Sequence, residues 1–340
     1  MKGLSFFNKI VFFFNIIFAF VLLLACAVPY LSLELFPFLS ILSLGVPVLV
    51  VVNTLFFLYW LLGLKKQVFT SLFVLIFGYF ALGTFIKLSS ESTDFKEDEL
   101  KVMTYNVRAF NRYRFLDNDN IPEEIEGLVE QEKPDIICFQ EVGHDMQEDY
   151  LDYPYHFLKR IPAGNKVHMG IFSKYPIIKA EIINFPNSIN NGSYADILYK
   201  GDTLRIYNLH MQSLGITPGT GVLRSQSSER LYRRVTNAFK RQQQQAQIIA
   251  EHKAKSPYRT LVCGDFNNTQ FSSVYHTIIG EMQDTFIEKG AGYGRTYNFL
   301  MIPIRIDFIM ADSSFEVMGH KNFDEKFSDH FPVMASFRLK

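Results

Sequence analysis

At 340 residues, with 48% hydrophobic side chains and 34 basic against 34 acidic groups, the chain is long enough for two or three domains and carries no net charge that would steer it to a polyanion. Its three cysteines exclude a disulfide-framework fold. Taking away Lys2, Lys9, Lys65, Lys66, Lys87 and Glu34 leaves residues 89–340 with 29 basic and 33 acidic groups, a balance that argues against a wide basic grip on nucleic acid.

Residues 1–88 read as a membrane anchor of three transmembrane helices. No charged residue falls between Lys9 and Glu34, between Glu34 and Lys65, or between Lys66 and Lys87, and each gap can hold the roughly 20 apolar residues that cross a bilayer. A cleaved signal peptide, suggested by the small residues Ala25-Cys26-Ala27, competes for the first segment, but two more apolar segments follow at once. Lys2 and Lys9 precede the first segment and Lys65 and Lys66 follow the second, whereas the first loop carries Glu34 and the third segment leads into the acid-rich stretch 91–99. Positive charge stays in the cytoplasm, so the expectation is a multi-pass cell (inner) membrane protein with its N-terminus cytoplasmic and the remainder outside the cytoplasm, periplasmic in a Gram-negative cell. Cys26 lies in an apolar segment, and Cys138 and Cys263 lie in runs that read as buried strands, where a thiol behaves as a small hydrophobe.

After a polar linker, residues 89–99, Leu100 to Val107 reads as a strand with Asn106 near its end, a residue disfavoured there without a local purpose. Pro122 opens an amphipathic helix from Glu123 to Gln131. Glu141 closes the apolar run Pro134 to Val142, where a carboxylate is costly unless paired, solvated or metal-bound. Gly170 to Ile177 holds a further strand whose end is set by Pro176, with His168 before it read as a loop histidine. Gly201 to Gln212 gives a turn, a strand and His210 at its exit. An insertion-like region follows, with a long helix from about Ser228 to Lys253; its basic residues, among them Arg224, Arg230, Arg233 and Arg234, are candidates for substrate binding against the alternative of a solvated helix face. The apolar run Leu261-Val-Cys263 ends in Gly264, then Asp265 and Asn267 stand two positions apart, on one side of a strand of period two. A short helix spans Ser273 to Ile279. Asp307 sits inside the apolar strand Arg305 to Met310 and needs a partner such as an imidazole. Asp329 and His330 precede the last strand, Val333 to Leu339.

Each of these polar residues stands at or beside the end of an apolar run, so that packed sheets can bring them to one edge. With TYNV, FQEV, NLHMQ, GDFNNT, RIDFIM and SDHFPV in this order over residues 101–336, the chain resembles the endonuclease/exonuclease/phosphatase superfamily of DNase-I-like nucleases, neutral sphingomyelinases and inositol-polyphosphate phosphatases. The resemblance implies a catalytic domain over 100–340 with a four-layer α/β/β/α sandwich, and hydrolysis of a phosphate ester with Mg²⁺, or Mn²⁺ in its place. It further implies that Glu141 is the main metal ligand, with Asn106 and Asp329 close to the ion. Asp265 would position or deprotonate the attacking water, Asn267 and His210 would hold phosphoryl oxygens or assist the leaving group, and Asp307 would orient His330; the base is Asp265 or His330. Hard oxygen donors suit Mg²⁺ independently of the family. One departure is Arg108, which stands where some abasic-site endonucleases carry an acidic residue, so a DNA-repair role is disfavoured.

The expected function is therefore a membrane-anchored phosphodiesterase acting on nucleic acid or a phospholipid headgroup, with the bilayer as a partner and no protein partner. A phosphomonoesterase of the inositol-phosphatase type and a catalytically inactive binding module are the alternatives. A channel is disfavoured by spans without ionisable residues, and a serine hydrolase by the absence of a Gly-x-Ser-x-Gly elbow.

Overall fold

The computed structural model describes residues 4–31, 37–84, 86–87, 95–143, 150–158, 168–215, 228–299 and 302–340. Three apolar helices open the chain: α1 (Phe6–Ala27), α2 (Ile41–Leu62) and α3 (Val68–Leu82). Several of their polar side chains are buried between the helices. Asn15 Nδ2 donates to Ser71 Oγ at 2.7 Å, and Trp60 Nε1 donates to Asn15 Oδ1 at 3.0 Å, so one amide joins all three helices.

The count of three spans needs correction. The helical stretches Phe6–Tyr30 and Pro37–Leu62, 25 and 26 residues, are long and apolar enough to cross a membrane. Helix α3 has 15 residues, which at ~1.5 Å per residue reach only about 22 Å of a hydrocarbon core about 30 Å thick. The gap between Lys66 and Lys87 overstated its length because Gly83, at φ 73°, ends the helix. Beyond it Lys87 exchanges both backbone hydrogen bonds with Gly292 at 2.8 Å, which draws this end of the helical unit onto the C-terminal part.

The C-terminal part is an α/β sandwich of two six-stranded sheets. In chain order the strands are β1 (Leu100–Asn106), β2 (Ile136–Val142), β3 (Tyr155–Leu158), β4 (His168–Ser173), β5 (Ile177–Asn184), β6 (Asn191–Tyr199), β7 (Asp202–His210), β8 (Arg259–Asp265), β9 (Gln283–Asp284), β10 (Tyr297–Phe299), β11 (Ile302–Ile304), β12 (Asp307–Ala311), β13 (Phe315–Asn322) and β14 (Val333–Leu339). One sheet runs β13-β14-β1-β2-β4-β3 and the other β5-β6-β7-β8-β12-β9, with β10 and β11 forming a separate hairpin. Alternation sorts the side chains of each strand between two layers. Val102, Ile136 and Cys138 meet Ile206, Leu261, Cys263 and Ile309 between the sheets. Met103, Tyr105, Ile137 and Phe139 turn the other way, onto Ile121, Ile125, Leu128 and Val129 of helix α4 (Ile121–Glu132). On the opposite outer face Tyr207, Leu209, Val262 and Phe308 pack beneath the long helix α5 (Ser228–Ala254) and the short helix α6 (Ser273–Ile279). Strands buried on both faces explain why β2 and β8 read as continuous apolar runs.

Two smaller expectations change. His168 is the buried first residue of β4, not part of a loop. The strand expected to end at Pro176 stops earlier, at Ser173, and β5 begins just beyond the proline.

Candidate active site at the shared edge of the two sheets

The two central strands of each sheet end at the same edge. In β8 the last step is forced by packing: Gly264 has φ 135°, and a Cβ there would lie 2.0 Å from the Leu209 carbonyl oxygen of β7. Only glycine lets the strands approach so closely, and Asp265 is thereby set directly beside His210. Asp265 and Asn267 do act on one point, but not through strand alternation. The strand stops at Asp265, Asn267 adopts a left-handed φ of 49°, and the turn folds back so that Asn267 N–H donates to Asp265 Oδ1 at 2.7 Å and its Nδ2 to Oδ2 at 3.1 Å.

From the other sheet, Asn106 at the end of β1 sends Nδ2 to Asp265 Oδ2 at 3.0 Å and to Glu141 Oε1 at 3.2 Å, joining both sheets through one amide. Glu141 lies at a register shift in β2 with φ 53°, a costly conformation for a non-glycine residue that aims its carboxylate into the cleft. His210 is buried, with Nε2 3.5 Å from Glu141 Oε1 and 3.6 Å from Asp265 Oδ2, and neither ring nitrogen has a hydrogen-bond partner. Burial lowers the His210 imidazole below its usual value against the opposing pull of Glu141. Burial would raise the Glu141 carboxyl, but His210 and the Asn106 hydrogen bond outweigh it and hold it low.

Asp307 pairs with Asp265 in the antiparallel β8–β12 register and takes His330 Nδ1 at 3.0 Å. His330 Nε2 then points to Asp265 Oδ2 at 3.7 Å, so the ring stands between two buried carboxylates. Burial alone would lower this imidazole, yet Asp307 and Asp265 overcome it and raise it to about 10. Asp265 itself is pushed up to about 7, chiefly by burial, with His330 opposing. Thr296 secures the pair: its Oγ1 accepts the amides of Ile306 and Asp307, and its carbonyl accepts Phe331 N–H.

These groups line or back a cleft of about 300 Å³. Arg108, Glu141, Asp265, Asn267, Asp329 and His330 form its polar side, and Leu44, Leu214, Phe299, Ile304 and Ile306 its apolar side. Asn106, His210 and Asp307 stand buried behind the polar wall. Asp329 is held by the guanidinium of Arg108, whose carbon lies 3.6 Å over the Phe115 ring. The three basic candidates on α5 are not in the cleft. Arg230 is exposed, Arg233 pairs with Glu229 at 2.7 Å, and Arg234 donates to the Gly215 carbonyl. Arg224 lies outside the described residues.

A family profile described as the endonuclease/exonuclease/phosphatase family matches residues 103–330, two thirds of the chain. The chain belongs to that family. Residues 8–85 match a profile described as a domain of unknown function. Among solved structures, the chain is similar to an endonuclease/exonuclease/phosphatase from Bacteroides vulgatus, at 19% identity and TM-score 0.55, covering 72% of this chain and 100% of that one. It is also similar to one from Beutenbergia cavernae, at 18% and 0.53 over 71% and 72%, and to D. rerio TDP2 complexed with a single-strand DNA product, at 14% and 0.52 over 72% and 100%. Likeness at these identities speaks for the fold alone. No curated protein matches the chain.

Two seats for a cation can be compared within this family member. Asp265, Asp307 and His330 offer ligand atoms within 4.8 Å of one another, with His330 Nδ1 already engaged by Asp307. Glu141 offers a second place with oxygen donors. Its carboxylate opens into the cleft with one amide hydrogen bond, beside a buried imidazole lacking any, and its oxygens suit a hard cation. Several site residues were not singled out in the sequence. Gln140 and Asn208 clamp the two sheets beneath the site, with Gln140 Nε2 donating to Asn208 Oδ1 at 2.7 Å. Both lie inside quoted motifs as polar residues in apolar runs, and that was the available signal. Thr296, Tyr297 and Leu44 carried none.

Proposed function

We propose that the chain is a membrane-anchored, divalent-metal-dependent phosphoesterase that hydrolyses a phosphodiester at the cleft walled by Glu141, Asp265 and His330. The observation that carries the reading is the geometry of the cleft wall: His330 stands between Asp307, with Nδ1 3.0 Å from Oδ2, and Asp265, with Nε2 3.7 Å from Oδ2, while Asn106 ties Asp265 to Glu141 across the two sheets. Adjacent titratable groups held in this way can divide acid and base roles. Asp265, held by Asn267 and Asn106, takes the proton of the attacking water. His330, oriented by Asp307, serves as donor to a phosphoryl or leaving oxygen. Glu141, with Asn106 and Asp329 nearby, would hold the cation, Mg²⁺ or Mn²⁺. Bound there, the ion would neutralise charge developing on the phosphoryl oxygens. Asn267 and Arg108 face the same space and bind the phosphate group, with His210 as a neutral support behind them.

The helical unit, residues 1–88, serves as anchor, with its N-terminus cytoplasmic and residues 100–340 as the catalytic domain outside the cytoplasm. Support comes from the lysine bias and from two helices of spanning length. The test is an assay of full-length protein in detergent against plasmid DNA, RNA, phospholipid vesicles and soluble phosphate esters, with Mg²⁺ and with EDTA. Hydrolysis of a diester in Mg²⁺ should be silenced by EDTA, and Glu141→Gln should lose at least 100-fold with the fold intact. Full activity in EDTA removes the metal from the mechanism.

A further inference from the structure

The beginning of α2 reaches the reaction cleft. Ser43 is fully buried, and its carbonyl accepts Thr269 Oγ1–H at 2.9 Å, a contact between residues 226 positions apart. Its hydroxyl lies 2.6 Å from the Ser40 carbonyl and 3.3 Å from Asn268 Oδ1. Asn268 Nδ2 in turn donates to Gln242 Oε1 at 2.9 Å, and Gln242 Nε2 to the carbonyl of Asn267 at 3.1 Å. Every member of this chain except Asn267 is buried, and Asn267 is the residue whose amide groups hold Asp265. Two positions beyond Thr269, Phe271 enters a cluster drawn from all three helices, including Leu22, Val46, Leu49 and Val74. The next side chain of α2, Leu44, lines the cleft itself, together with Leu214 and Ile304.

We propose that the helical unit is a working part of the active site: α2 fixes the loop bearing Asn267 through Thr269 and Asn268, and its Leu44 walls the cleft so that it takes a phosphate ester with an apolar substituent. The proposal rests on the phosphoesterase reading and adds a positioning and a selective role to what would otherwise be a tether. A buried hydrogen-bonded network transmits position because a half-satisfied one is costly, so the loop has one arrangement while the helix is in place. The apolar wall excludes water from one side of the phosphate and favours a substituent that does the same.

The test uses the full chain in detergent with two soluble diesters, methyl 4-nitrophenyl phosphate and octyl 4-nitrophenyl phosphate. Wild-type kcat/KM should favour the octyl ester at least 10-fold, and Leu44→Asp should abolish that preference. Thr269→Val should lower kcat on the methyl ester at least 10-fold with KM changed less than threefold, and Thr269→Ser, which keeps the hydroxyl, should recover most of it. Equal loss in Thr269→Val and Thr269→Ser, wild-type kcat in Thr269→Val, or an octyl preference indifferent to Leu44→Asp overturns the proposal. Leu44 is half-buried against Leu214, Val235, Ala238 and Phe239 as well as lining the cleft, so should either variant fail to assemble, Leu44→Ala and Thr269→Ala replace them with the same expected losses and the same overturning results. Hydrolysis of neither ester by the wild type refutes the phosphoesterase reading instead.

Discussion

Replacing Asp307 with Asn should discharge His330. In the wild type the imidazole lies 3.0 Å from Asp307 Oδ2 and is raised from an ordinary 6.5 to about 10, a difference of about 5 kcal/mol in favour of the imidazolium at ~1.36 kcal/mol per pH unit. An amide at position 307 can still accept a hydrogen bond from Nδ1 but brings no charge, so the largest raising influence is lost and burial is opposed only by Asp265 and, more weakly, Asp329. Titration of ¹⁵N-labelled histidine in detergent-solubilised protein should then show the His330 midpoint falling well below its wild-type position near 10. With the proton donor lost, kcat at pH 8 on a soluble diester should fall about 10²- to 10⁴-fold. The effect on stability has a definite sign. A raised imidazole contributes fully below its unfolded value near 6.5, and the contribution is lost as pH rises through about 10. Melting temperatures of the wild type and Asp307→Asn should accordingly converge in alkaline buffer. A midpoint that stays near 10 in Asp307→Asn, or wild-type kcat at pH 8, refutes the assignment of His330 as a donor charged by Asp307.

Asp265 gives the opposite pH signature. Its carboxyl is raised from 3.8 to about 7 by burial, so the folded chain holds an extra proton between those values, and stability due to this group falls as pH rises through the window, by at most about 4 kcal/mol. In EDTA the melting temperature of the wild type relative to Asp265→Asn should drop from pH 4 to pH 7, and a constant difference would show that Asp265 is not raised. The membrane orientation is read by fusions after Ser90: alkaline phosphatase should be active there and green fluorescent protein dark, and the reverse pattern places the catalytic domain in the cytoplasm.

The layering of the sandwich was legible because it depends on local pattern. An apolar run such as Ile136-Ile-Cys-Phe139 is long enough to be buried on both faces, and a polar residue at its end marks the edge where such strands stop. The same reasoning placed α4, α5 and α6 within about two residues of their ends. Pattern failed where a stop was read through: helix α3 was drawn too long because Gly83, which ends it in a left-handed conformation, sits inside an otherwise apolar run. Strands β5, β6 and β13 went unmarked, since half-exposed or polar alternation such as Ile177-Ile-Lys-Ala-Glu181 lacks the continuous apolar signal.

Arg108 shows how far a single-position reading reaches. In the sequence it was a departure, a cation where an acid was conceivable, and counted against one branch of activities. In the fold its guanidinium rests on the Phe115 ring and holds Asp329, both at the cleft. The pairing changes what each residue can do: Asp329 is held in place by a guanidinium, and Arg108 keeps a planar set of donors at the rim of the cleft. Nothing in the one-dimensional order relates positions 108 and 329, because their meeting depends on β1 and β14 lying side by side in antiparallel register. The chemistry of the cleft was written in residue types, and its charge balance in the strand order.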